Sequence, residues 1–129
     1  MIDHTGFLVS DIERSIAFYS KALAPLGMEV IARYGTIVGF GVNPKVAPND
    51  TSDFWIAGGV APTDKLHIAF RAARRSVVKA FYEAAIAAGG RDNGPPGVRE
   101  KYNPDYYAAF VLDPDGHNIE AVCHEPYLG

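Results

Sequence analysis

A single cysteine, Cys123, rules out an internal disulfide framework. Lys and Arg never cluster into a block or stripe, and 12 basic against 15 acidic residues give a net charge of −3. Nucleic acid and anionic membrane surfaces are therefore not expected as partners. No uninterrupted apolar run approaches the ~20 residues that a spanning helix needs. The opening "MIDHTGFLVSD" has neither a positive region nor a small-residue cleavage pattern, so no secretory signal is expected. Together these absences lead to the expectation of a cytoplasmic protein with no membrane span. No phosphate-cradling glycine loop or nucleophile elbow occurs either; Gly39–Gly41 is too short to mean anything.

What is present is a repeat. "HTGFLVSDIERSIAFYSKALAPLG" (4–27) and "HIAFRAARRSVVKAFYEAAIAAGG" (67–90) both begin with His, reach Phe-Tyr fourteen residues later and end in Gly. The offsets 67 − 4, 81 − 18, 82 − 19 and 90 − 27 all equal 63. Each copy reads as a strand followed by a helix. In the first, Ser10 with Glu13 forms a capping box, so a helix should start near Asp11. Ile12, Ile16, Tyr19 and Leu23 supply its apolar face, and Pro25 and Gly27 end it. In the second, Val77, Phe81, Ala84 and Ala88 supply the face before Gly89-Gly90.

Further strands are expected near 29–34, 36–42, 53–57, 107–112 and 117–124. The stretches 43–52 and 89–103 read as loops, the latter because of its Gly and Pro content. The expected architecture is α+β. Two βαβββ modules, about 1–60 and 64–129, make up one domain and pair, within a chain or between chains, into a curved mixed sheet cup with helices outside.

Strand alternation assigns faces. His4, Gly6 and Leu8 lie opposite Phe7 and Val9; His67, Ala69 and Arg71 lie opposite Ile68 and Phe70. Asn118, Glu120, Val122 and His124 lie opposite Ile119, Ala121 and Cys123. Thus His4, His67 and Glu120 each fall on the strand face away from the helix layer. A solvated Glu and two ordinary strand histidines would satisfy the same pattern. The repeat, however, relates His4 to His67, and two imidazoles with one carboxylate from three strands are the ingredients of an open divalent-metal site. His117 and Cys123 face the helix side and are excluded as ligands, while Asp113 and Asp115 belong to a Pro-Asp-Gly turn.

At "DHTGFLVSDIERSIAFY", "HIAF" and "LDPDGHNIE" the sequence resembles the vicinal oxygen chelate superfamily of glyoxalases, extradiol dioxygenases, fosfomycin-resistance enzymes and bleomycin-binding proteins. The resemblance implies paired βαβββ modules, frequent assembly as a homodimer, and a divalent metal (Fe, Mn, Ni or Zn) in the cup. Matched motif by motif, His4, His67 and Glu120 fall at ligand positions. Glyoxalase I has a further Glu in its first module; offset 63 puts Ala57 there, and nothing acidic occurs between Phe54 and Val60. The residue two after His4 is Gly6, where fosfomycin enzymes typically carry Thr.

Glu120, Tyr106, Tyr107 and His124 are the expected catalytic residues, with Tyr102 a further candidate base. Phe54 and Trp55 are expected to form an apolar wall, and Arg71 to hold a substrate carboxylate or lie at a strand end. The expected function is a metal-dependent lyase, isomerase or oxygenase acting on a small oxygen-chelating metabolite. The alternative is a metal-free binding protein of the bleomycin-resistance type.

Overall fold

The computed structural model describes residues 2–43 and 53–126; of the expected first loop, 44–52 lie outside the described residues. The first half runs β1 (Thr5–Val9), α1 (Ile12–Ala22), a single 3-10 turn (Ala24–Leu26), β2 (Met28–Tyr34), β3 (Ile37–Val42) and β4 (Phe54–Gly58). The second runs β5 (His67–Arg71), α2 (Arg75–Ala87), β6 (Arg91–Val98), β7 (Tyr107–Leu112) and β8 (Asn118–Cys123). Each half is a βαβββ module with its own four-stranded mixed sheet, ordered β1-β4-β3-β2 and β5-β8-β7-β6. The fold is α+β with paired βαβββ modules, as expected, and each module contributes its own four-stranded sheet.

Two local expectations are corrected. α1 is capped by Asp11, whose side chain accepts from the Arg14 N–H at 3.1 Å, and not by Ser10. Ser10 instead donates its hydroxyl to Asp115, 105 residues away. The 89–103 stretch is not all loop: 91–98 forms β6, broken by register shifts around Gly94. β6 is a sheet edge, so Pro95 and Pro96 need not donate to a second neighbour, and the glycines allow the irregularity.

The helix faces are wider than the simple stripes. α1 buries Ser15, Phe18, Tyr19 and Ala22, with Ile12 and Ile16 only partly covered. α2 buries Val78, Phe81 and Ala85. The two helices pack on each other. One apolar core runs through both modules, taking Val9, Phe40, Phe54 and Ile56 from the first sheet and Val111, Ile119, Ala121 and Cys123 from the second. Phe54 meets Phe70 at 5.2 Å and Phe7 meets His117 at 5.0 Å, edge to face. Each sheet therefore turns its other face away from this shared core. That face carries the candidate chemistry.

Candidate functional site

β5 and β8 run parallel with Ala69 opposite Glu120, and β7 runs antiparallel with Phe110 opposite Glu120. This register sets Ala69, Glu120 and Phe110 in one row on the outer face of the second sheet. His67 and Asn118 stand in the next. The Glu120 side chain is almost fully buried, at 2% exposure, on the outer face of its sheet. A buried carboxylate requires partners. His67 Nε2 lies 3.0 Å from its Oε1, and the Tyr106 hydroxyl donates to Oε2 at 2.5 Å.

His67 Nδ1 lies 3.2 Å from the Asn118 carbonyl oxygen. A carbonyl only accepts, so Nδ1 donates in that contact, and a ring with no second proton would present the Nε2 lone pair to Glu120. A lone pair facing a carboxylate oxygen repels it unless a cation stands between them, either a proton or a metal ion. Tying the remote ring N–H to a backbone carbonyl is how metal-binding histidines are generally oriented. This donor set of one neutral nitrogen and one carboxylate fits a divalent transition metal. Burial first, then the hydrogen bond to Glu120 and its charge, push the Tyr106 phenol up to about 12. Tyr106 is therefore a hydrogen-bond donor at neutral pH.

His124 stands edge-on against the Tyr106 ring at 5.2 Å, and Tyr102 packs on its other side at 4.9 Å. His67, Glu120, Tyr106 and His124 are thus brought together. Tyr107 is not. It pairs in register with Cys123, lies on the helix side of β7 and is covered by the Arg75 guanidinium 5.0 Å above its ring. Tyr106 stands just ahead of β7 while Tyr107 opens that strand on its helix side, so only Tyr106 reaches the site. Strand alternation separates Phe54, buried in the core, from Trp55, which stacks on Tyr34 at 6.4 Å on the outer face. The expected Phe54–Trp55 pair is thus divided between the core and the outer face of the first sheet. Arg71 is exposed at the end of β5.

His4 precedes β1, half exposed, with Nδ1 bonded to Asp3 at 2.7 Å. It does not join His67 and Glu120: no three potential ligands among the described residues stand close enough to hold a metal. His117 is fully buried, accepting at Nδ1 from the Leu66 N–H at 3.0 Å.

The registers also locate the missing acidic twin. Gly6 pairs with Trp55, and its repeat equivalent Ala69 pairs with Glu120. The position corresponding to Glu120 is therefore Trp55, at an offset of 65 (120 − 55), rather than Ala57. An indole stands where the first sheet would present a carboxylate.

Paired βαβββ modules with a His–Glu pair on the outer sheet face define the vicinal oxygen chelate class of fold. Residues 1–121 match the Glyoxalase/Bleomycin resistance protein/Dioxygenase superfamily, and the chain belongs to that family. Among solved structures it is similar to a glyoxalase/bleomycin resistance protein from Albidiferax ferrireducens. That match has 27% identity and a TM-score of 0.75, covering 96% of this chain and 98% of that one. A glyoxalase/bleomycin resistance protein/dioxygenase family enzyme from Burkholderia phytofirmans shares the fold at 18% identity and a TM-score of 0.71, over 96% and 98% of the two chains. So does a glyoxalase-related enzyme from Fulvimarina pelagi, at 22% and 0.67 over 95% and 87%. No curated relative matches the sequence. No helix among the described residues is long and apolar enough to cross a membrane.

Proposed function

We propose that the protein is a small divalent-metal enzyme with glyoxalase- or dioxygenase-like chemistry on an oxygen-chelating metabolite. Its metal ligands are His67 and Glu120 of one chain with His4 of the partner subunit in a homodimer. The observation that carries the reading is the His67 Nε2–Glu120 Oε1 approach of 3.0 Å, with Nδ1 tied back to the Asn118 carbonyl.

Support for the dimer comes from the first sheet. Leu8, Ala57, Ile37 and Tyr34 form a row across its four strands, and Leu8, Ile37 and Tyr34 expose large apolar surface. Such a face is suited to being covered by a second copy. The second sheet of that copy, with its His67 and Glu120, is the surface that would meet His4.

When bound, the divalent ion polarises vicinal substrate oxygens. The chain's own residues do the rest. Tyr106 holds Glu120 Oε2 and keeps the carboxylate oriented. His124, beside the Tyr106 ring, is the nearest imidazole available to accept a substrate proton. Trp55 stacked on Tyr34 offers an aromatic surface on the first sheet for the partner subunit or an organic substrate.

Metal content of untagged protein, loaded separately with Fe(II), Mn, Ni and Zn, tests this. His67→Ala and Glu120→Gln are each expected to abolish stoichiometric loading. Unchanged content in either variant would overturn the assignment.

A second reading, a metal-free binder, is favoured by one observation: Trp55 occupies the twin position of Glu120 and stacks with Tyr34. It predicts ligand binding indifferent to chelators.

A further inference from the structure

Next to the His67–Glu120 pair is a cavity of about 280 Å3 that sequence reading did not single out. Its lining includes Asn93, Arg99, Lys101, Tyr102, Phe110 and Asn118. Both charged residues on its wall are cations, and no carboxylate lines it. We propose that this cavity is an oxyanion subsite, taking a carboxylate or phosphate group carried by the substrate of the adjacent site. The inference rests on the metalloenzyme reading for the other end of that substrate.

Arg99 is set in place before any ligand arrives. Its two terminal nitrogens donate to the Gly97 and Pro95 carbonyls at 2.9 and 2.7 Å, and the guanidinium lies 5.3 Å above the Phe110 ring. A strut that only braced the β6 hairpin would need those carbonyl contacts and no charge. Here two of five N–H donors are used, and neither Arg99 nor Lys101 has a carboxylate in ion-pair range among the described residues. A fixed guanidinium without a counter-charge in a concave site is what recognises an oxyanion.

The cavity is kept open by Gly94, at φ +147°. A Cβ there would fall 2.9 Å from the Phe110 ring and 3.2 Å from an Arg99 terminal nitrogen. The amides contribute as well. Asn93 donates to the Asn118 side-chain oxygen at 3.2 Å, which leaves the Asn118 NH2 as a donor on the cavity wall.

Three contacts join the cavity to the metal-binding pair. The Phe110 ring has Arg99 near it and the His67 imidazole at 6.4 Å, inclined by 25°. Asn118 lines the cavity with its side chain and fixes His67 with its carbonyl. Tyr102 lines it and packs on Tyr106, which holds Glu120. A substrate chelating at His67 and Glu120 would thus extend its anionic end across Phe110 to Arg99 and Lys101.

The test is calorimetric titration of the full-length, chelator-treated protein with benzoate, phenyl phosphate and the neutral analogue benzamide. At least one of the two anions should bind saturably and at least about tenfold more tightly than benzamide, the size of one charge-assisted hydrogen bond. Whichever anion binds better identifies the group. Lys101→Gln, on an exposed side chain that braces no backbone, should weaken that binding about fivefold, and Arg99→Gln about tenfold or more. Equal binding of anion and amide would overturn the proposal, as would indifference to both cation substitutions. Failure of metal loading leaves all of these outcomes unaffected, so the two readings fail separately.

Discussion

Tyr19 and Asp113 are 94 residues apart and make the buried polar link between the two modules. The Tyr19 hydroxyl donates to Asp113 Oδ2 at 2.5 Å, while Oδ1 accepts from the Asp115 and His117 N–H groups at 2.9 and 2.8 Å. Burial, and next the Asp113 charge, raise the Tyr19 phenol well above its ordinary value. A raised folded-state pKa stabilises the protonated form. Its contribution is therefore complete below the unfolded value of about 10 and is lost as pH rises towards the folded one. In an alkaline absorbance titration, Tyr19 should ionise only together with unfolding. Tyr19→Phe should remove that late step and lower the urea-measured unfolding free energy by about 1–3 kcal/mol, since it strands a buried carboxylate oxygen. An unchanged midpoint would show that the link contributes nothing. The sequence shows Tyr19 only as part of an apolar stripe and Asp113 only as a turn residue. Glu120, by contrast, was readable as facing away from the helices, because alternation is a local property; its burial was not.

At the scale of elements, the repeat made the strand–helix units legible, and seven of the eight strands among the described residues fall where alternation and turn residues place them. β6 escaped because an edge strand tolerates Gly and Pro that ordinarily mark a loop. Arg99, just beyond it, was hidden for the same reason: no alternation could be read through "NGPPGVR". Gly90, which ends the second repeat, illustrates a constraint of packing and not of backbone angle. A Cβ there would lie 2.5 Å from Val111 Cγ1 and 2.8 Å from both the Ala85 carbonyl and the Phe18 ring. Gly90 thus lets α2, β7 and α1 meet. Gly90→Ala should cost about 1–3 kcal/mol in chemical denaturation, the range for overpacking a filled core. A variant as stable as the parent would mean that the junction between modules is loose.

At the scale of the whole molecule, the question is where His4 finds its partners. The modules share one core through their helix-side faces, so His4 and the His67–Glu120 pair do not meet within a chain. If the site is completed between chains, mixing His4→Ala protein with Glu120→Gln protein under subunit exchange should regenerate one intact site per heterodimer. Each parent alone should have none. Metal analysis of the mixture reads this directly, and a mixture as metal-poor as its parents would exclude the cross-chain arrangement. Size-exclusion chromatography with light scattering provides the independent check that the wild-type chain is a dimer.

The sequence by itself determined the doubled strand–helix order, the faces of β1, β5 and β8, and the placing of His67 and Glu120 on one face of the second sheet. All of these depend on short-range periodicity, which a chain carries whatever it folds against. The tertiary structure decided that Trp55 is the twin of Glu120, because strand register shifts by two residues where the loops differ in length. It decided that Tyr106 and not Tyr107 holds the carboxylate, because Tyr107 opens β7 on its helix side and Tyr106 stands just ahead of that strand. It also placed Arg99 over Phe110, since side chains distant in sequence become neighbours only when hydrogen-bond ladders align their strands.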